Sequence, residues 1–191
     1  PNKGRRSNFF KTEFINFLLM CRENKFDPSS IKGSYAGALG QPQFISSSYR
    51  NYAVDFNNDK KIDLWDSTED IIGSVANYFK RNGWKNNQPI MSKIIYLESE
   101  SNFIKNESKK SYRPKISYSN YQKHGLSSDI SIEPSSLVSV IGRKEKDGNV
   151  YSFGHKNFYV ITRYNRSRLY ALAVYFLSKE IRSAKSRMER L

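Results

Sequence analysis

The apolar residues of this 191-residue chain change period twice, and that switch restricts it to a mixed architecture. Phe10, Phe14, Phe17, Leu18 and Cys21 recur at helical spacing, with Ser7 placed to cap the helix start. Asp27-Pro28 reads as a cap followed by proline in the first turn, which predicts a short helical turn ending near Gly33. A further helix is predicted with Ile71, Ile72, Val75 and Phe79 inward and Gly83 as its stop. From residue 85 the pattern becomes β-like, in short runs at 94–97, 136–141 and 150–153, the last two joined through Asp147-Gly148, a favoured hairpin turn. Residues 158–164 fit strand or helix. Leu169, Leu172, Ala173, Phe176 and Leu177 then trace a last helix face, followed by the basic tail Arg182, Lys185, Arg187 and Arg190. The expected fold is mainly α, of the α+β class, with a small antiparallel sheet. Its expected segments are 1–84, a variable insertion or small β-containing lobe at 85–150 with an exposed stretch at 99–115, and a helical 151–191.

Composition narrows the function classes. The 13 Tyr, 12 Phe and 2 Trp can close a core that a disordered chain could not. Thirty-two Lys and Arg against 18 Asp and Glu give a formal charge of +14, a surface that seeks a polyanion. No zinc finger, helix-turn-helix or RNA-recognition signature accompanies that charge, so no nucleic-acid partner is expected. Cys21 is the one cysteine, which excludes an intramolecular disulfide, and it fits a small core position. No apolar run approaches the roughly 18 residues of a membrane span, and residues 1–12 lack signal-peptide character. The chain starts at Pro1 without Met and reads as the remainder of something longer. His124 and His155 have no Ser or Cys motif to partner them and read as surface histidines.

Two constellations could carry chemistry. Asp55, Asn57 and Asp59 with the carbonyl of Lys61 stand at positions 1, 3, 5 and 7 of an EF-hand-like calcium loop. Lys60 replaces the usual glycine at position 6, Asp66 stands at position 12, and Glu69 or Asp70 could supply the distal carboxylate instead. The same residues also fit an Asp/Asn-rich surface turn in which Ser67 and Asp70 cap the next helix. The second set, Gln43, Tyr49, Tyr78, Tyr159, Tyr164, Asn157 and Asn165, pairs ring faces with amides and suits a polysaccharide groove, although most tyrosines of a domain simply pack.

These residues lie in longer blocks. Gly33-Ser34-Tyr35-Ala36-Gly37-Ala38-Leu39-Gly40-Gln41-Pro42-Gln43-Phe44 and its continuation to Phe56, Asp63-Leu64-Trp65-Asp66, Ile72-Gly73-Ser74-Val75-Ala76-Asn77-Tyr78-Phe79, Gly83-Trp84, and residues 157–174 from Asn157-Phe158-Tyr159 onward resemble the membrane-bound lytic murein transglycosylase B family. The blocks follow family order, with 85–150 matching loosely. The resemblance implies a lysozyme-like, mostly helical domain that cleaves the β-1,4 bond between N-acetylmuramic acid and N-acetylglucosamine, leaving 1,6-anhydromuramic ends. One glutamate would serve as acid and then base.

In the family that glutamate precedes the Arg-Arg block, seen here as Arg5-Arg6-Ser7-Asn8-Phe9-Phe10, so no catalytic residue is assigned in this chain. Glu13 and Glu23 look solvent-facing, and Glu98, Glu100 and Glu107 fall in a polar stretch. Carried over residue by residue, the groove would use Arg5, Arg6, Ser34, Gln43, Tyr78, Asn157 and Tyr164. The metal loop would use Asp55, Asn57, Asp59, Lys61 and Asp70 around a structural Ca2+, with no organic cofactor. The implied partner is the peptidoglycan glycan strand, the implied state a monomer, and the implied location the periplasm, with outer-membrane association only through an upstream segment. The competing reading is a catalytically inactive peptidoglycan-binding module with the same groove.

Overall fold

The computed structural model describes residues 6–96 and 102–190. The chain divides into two compact units, Pro1–Arg81 and Asn82–Leu191. Arg5, Leu97, Glu98 and Glu100, and the start of the 99–115 stretch, lie outside the described residues.

Unit 1 contains α1 (Ser7–Asn24), α2 (Ser46–Tyr52) and α3 (Thr68–Arg81). The sequence placed the stripe Phe10, Phe14 and Leu18 inward; these residues are 46%, 61% and 44% exposed, whereas Met20 and Cys21 are buried. The inward face is chosen by polar partners instead. Glu13 Oε2 accepts from Ser47 N at 2.9 Å, where α2 begins with unsatisfied N–H groups. Arg50 of α2 donates to both oxygens of Glu23 and to Asn16 Oδ1. Glu13, Asn16, Met20 and Glu23 therefore form the working face of α1, and Glu13 and Glu23 are not idle surface acids. Arg6 holds the cap position in place of Ser7 and makes no side-chain cap bond. Asp27 caps a turn rather than a helix, accepting from Ser29 N and, through its carbonyl, from Ser30 N.

Helix α3 corrects the apolar expectation in the same way. Its buried residues are Asp70, Gly73, Ser74 and Tyr78, while Ile72 is 62% exposed. Loop backbone approaches this face closely: Val54 N donates to Ser74 Oγ, Phe56 N donates to Asp70 Oδ1, and a Cβ at Gly73 would meet Phe56 at 2.7 Å. Small and polar side chains fit there and isoleucine does not.

Unit 2 contains β1 (Met91–Tyr96), α4 (Asn102–Lys109), β2 (Ile116–Ser117), α5 (Tyr118–Gln122), β3 (Leu126–Ser128), β4 (Leu137–Glu145), β5 (Gly148–Gly154), α6 (Lys156–Tyr164) and α7 (Arg168–Met188). The strands form an antiparallel sheet in the order β2-β4-β5-β1-β3. Alternation along β4 and β5 supplies two cores. Val138, Val140, Tyr151 and Phe153 pack with Ile94, Ile104, Tyr118, Tyr121 and Leu126. Ile141 packs with Met91, Phe158, Ile161, Ala171 and Leu172.

The β4–β5 hairpin turns through Lys146 and Asp147, with Gly148 at φ +133° paired to Glu145, one residue earlier than the sequence suggested. The stretch expected to be exposed instead forms α4, which buries Ile104, Glu107 and Ser108. In α7 the inward pair is Ala171 and Leu172; Leu169 and Leu177 are 74% and 61% exposed.

Candidate functional site

In unit 1 the segment 33–44 is a tight double turn held by its own backbone. Ser34 N donates to Ala38 O, Leu39 N to Phe44 O and Phe44 N to Leu39 O. Gly37 and Gly40 sit at φ +77° and +60°, and a Cβ at Gly40 would lie 2.4 Å from Leu64 O. Ser34 is exposed, its Oγ accepting from Ala38 N at 3.1 Å. Gln43 is exposed and adopts φ +55°; its Nε2 donates to Gly40 O at 2.8 Å, so the amide is aimed and its oxygen stays available to a donor. Tyr78 does not present a free ring. It is 9% exposed and packs against Phe44 at 5.8 Å and Tyr52 at 4.6 Å, a floor under the loop. Arg6 is exposed, with its guanidinium over the rings of Phe9 and Phe10.

The acidic loop is wound around its own side chains. Asp55 accepts from Asp59 N and Lys60 N, Asn57 Oδ1 from Asp59 N, Asp59 Oδ1 from Lys61 N, and Asp63 Oδ1 from Trp65 N and Asp66 N. Asp70 is fully buried and accepts from Phe56 N at 2.7 Å and Asp63 N at 2.9 Å. Lys60 adopts φ +72°, the left-handed conformation that the sixth position of an EF-hand turn requires, and it does so without being glycine. The donor set and this turn fit a hard cation. No three His, Cys, Asp or Glu side chains gather as metal ligands among the described residues, because the carboxylates are turned onto loop N–H groups. Tyr49 donates to Ile62 O at 2.8 Å; burial first, then Asp63 and Asp70, push its phenol up from the ordinary value.

In unit 2, Asn157 is fully buried. Its Oδ1 accepts from Lys85 N, and its Nδ2 donates to Lys85 O and Gln88 O, so it clamps the 85–88 turn and offers no polar atom to a ligand. Tyr164 closes α6 and lies parallel to Tyr170, the ring planes 4° apart and the centroids 6.3 Å apart. A cleft of about 600 Å³ opens beside Tyr159, whose ring lies under Arg113 at 5.7 Å and Lys156 at 5.5 Å.

His155 is not a surface residue. It is 8% exposed, shares a 2.9 Å hydrogen bond with Ser92 Oγ, and burial pushes its pKa down to about 4 against a smaller opposing pull from Asp129. Its neighbours Phe153 and Phe158 were the sequence signal for that burial. Tyr170 and Tyr159 as a paired ring and a cation-flanked ring carried no such signal. His124 stacks on Phe103 at 3.8 Å.

The chain carrying this tight loop, acidic turn and small sheet matches the family described as transglycosylase SLT domain over residues 2–179 and belongs to it. It is 39% identical over 184 residues to membrane-bound lytic murein transglycosylase B of Escherichia coli (strain K12), covering 96% of this chain and 49% of that protein. It superimposes on the soluble lytic transglycosylase SltB1 of Pseudomonas aeruginosa with a TM-score of 0.89 at 39% identity, over 97% of this chain and 60% of that one. With Escherichia coli Slt35 in complex with calcium the TM-score is 0.84 at 38% identity, over 97% and 57%. The chain thus spans about half the length of the curated relative it matches.

Proposed function

We propose that this chain is part of a peptidoglycan lytic transglycosylase and carries glycan-holding parts of its groove. The observation that carries the reading is the family match over residues 2–179, nearly the whole chain. In this reading Ser34 and Gln43 meet N-acetyl groups and hydroxyls over a backbone kept bare by Gly37 and Gly40, Tyr78 supports that loop from below, and Tyr164 offers a ring. Arg5 and Arg6 meet stem-peptide carbonyls or carboxylates. Calcium, bound through Asp55, Asn57, Asp59, the Lys61 carbonyl and Asp70, would supply rigidity and no chemistry. The calcium complex of Slt35 and the Lys60 conformation support that assignment. The protein would act in the periplasm on glycan strands, as a monomer and without an organic cofactor. No helix among the described residues is long and apolar enough to cross a membrane.

Cleavage needs a carboxylic acid still protonated near neutral pH to reach the glycosidic oxygen, and the same group then draws the proton from the muramoyl 6-hydroxyl as it closes on the anomeric carbon. Among the described glutamates, Glu13, Glu23, Glu107 and Glu145 are otherwise engaged. Glu23 is held below the usual range by its hydrogen bond to Arg50, Glu107 is tied to Lys110, Glu145 to Arg143, and Glu13 to the α2 terminus. The resemblance places the acid ahead of the Arg5-Arg6 block, and it is assigned outside this chain on that ground. Incubating the 191-residue chain with purified peptidoglycan tests this, with muropeptides read by mass spectrometry. No anhydromuropeptide is expected, and general acid–base help of about 10²- to 10⁴-fold makes its loss visible. In parallel, NMR titration with GlcNAc–MurNAc oligomers should show binding that Gln43→Ala weakens at low and moderate salt alike. Product release by this chain overturns the assignment of the acid. Binding unaffected by Gln43→Ala and abolished by salt overturns the groove.

A further inference from the structure

A second cleft, about 800 Å³, lies in unit 2 between α4, the β4–β5 sheet and the start of α7. Lys105, Lys109, Lys110, Arg143, Lys144 and Arg168 line it, and no acidic residue does. Glu107 is committed to Lys110 and Tyr121, and Glu145 to Arg143, so Lys110 and Arg143 are already paired and the remaining charge comes from Lys105, Lys109, Lys144 and Arg168. Lys109 and Lys144 have no partner among the described residues and are exposed. The floor is bare at Gly142, where a Cβ would crowd Ser108 and Tyr151 at 3.1 Å. Arg168 is aimed: its Nη1 donates to Ser108 O at 2.9 Å, which fixes the guanidinium while leaving its other N–H groups unspent. Arg168 also opens the first turn of α7, which contains no acid, so the positive end of a 21-residue helix adds to the same field.

We propose that this cleft binds a phosphate-bearing ligand, either a free oligophosphate or a phospholipid headgroup. A carboxylate is planar and is satisfied by one arginine fork. Point charges converging from three separate elements suit a tetrahedral, multiply charged group approached from several sides. The volume exceeds that of a single phosphate, which calls for a chain of them or a phosphate carried on a larger body. This assignment stands apart from the glycan reading of unit 1.

Two probes are titrated into the full chain: inorganic tripolyphosphate, by calorimetry, and vesicles of phosphatidylglycerol in phosphatidylcholine, by sedimentation. Lys109→Gln with Lys144→Gln removes two unpaired charges without breaking a contact, and circular dichroism melts should match the parent. Arg182→Gln with Arg187→Gln removes the same charge from α7 about 21 Å or more beyond Arg168. Saturable tripolyphosphate binding weakened tenfold or more by the first pair, and less than twofold by the second, supports the site with a free phosphate ligand. The same pattern with vesicles alone supports it with a headgroup. Equal losses from both pairs, or no binding of either probe, overturn it.

Discussion

Asp70 is the joint of unit 1, and replacing it gives a stability loss that can be worked from its bonds. Its side chain is fully buried, with one oxygen taking Phe56 N at 2.7 Å and the other Asp63 N at 2.9 Å, from opposite ends of the acidic loop. Asp70→Ala orphans two part-buried N–H groups, each costing about 1–3 kcal/mol, and removes an acid from the first turn of α3, worth about 0.3–1 kcal/mol more. The sum is about 2–7 kcal/mol. Asp70→Asn keeps one acceptor and sets its NH₂ against the other donor, for a loss of about 1–3 kcal/mol. A Trp84→Phe background leaves Trp65, packed against Phe26 and Tyr49, as the sole tryptophan and the reporter of unit 1. Urea unfolding followed by its fluorescence, in chelator so that only the hydrogen bonds are compared, should rank parent above Asn above Ala. At an m-value of about 1–3 kcal/mol per molar, the Ala variant should shift the midpoint by about 1 M or more. An Ala variant within 0.5 kcal/mol of the parent refutes the reasoning, because two part-buried donors would then have been abandoned at no cost.

Three further outcomes are expected. His155, neutral when folded with a pKa of about 4 against 6.5 in the unfolded chain, binds its proton first in the unfolded state. Its contribution is therefore intact at pH 7 and lost as pH falls from about 6.5 to about 4, with about 2 kcal/mol gone by pH 5. An NMR titration in which this ring titrates near 6.5 overturns it. Gly40→Ala places a Cβ 2.4 Å from Leu64 O at a positive φ. It should cost about 1–3 kcal/mol in the same urea assay, whereas Gly37→Ala, at φ +77° with nothing within 4 Å, should cost less. Calcium at a hundredfold excess over its Kd should stabilise the parent by about 2.7 kcal/mol over the chelated chain. Asp55→Ala with Asp59→Ala should erase that gain in calorimetric melts, and identical parent melts with and without calcium would leave the loop a hydrogen-bonded turn only.

How much of this was legible in the sequence depended on whether an element's surroundings leave a periodic trace. Strands β4 and β5 were, since alternate residues of one hairpin feed opposite cores. Strands β2 and β3, of two and three residues, are too short to carry a period. Helices α1, α3 and α7 were found, but their inward faces were misread, because periodicity detects an apolar stripe without telling what it meets. In α1 the ion pair of Glu23 with Arg50 turns the polar side inward, and in α3 an approaching loop backbone demands Gly73 and Ser74. For the site, residue type and neighbours pointed to Gln43 and the acidic loop, and only the family resemblance pointed to Ser34. The same reasoning could not see that the Asn157 amide is consumed by backbone, since that depends on a turn 70 residues away in sequence.

One line of bonds joins the parts of unit 1 that the function would use. Gln43 is aimed by Gly40 O, and Gly40 is wedged against Leu64. Gln41 ties the same turn to the Leu64 and Trp65 carbonyls through its N–H and its Nε2. Leu64 and Trp65 follow Asp63, whose N–H is held by Asp70 at the head of α3, and α3 carries Tyr78 back under Phe44. The circuit is closed, so the acidic loop sets the position of Gln43 without touching a ligand. Loosening Asp70 should therefore weaken glycan binding without removing a contacting group, whereas Gln43→Ala removes the group and leaves the circuit intact. Unfolding and glycan titration of the two variants separate these roles: Asp70→Asn should move both measurements, and Gln43→Ala should move the titration with little change in stability.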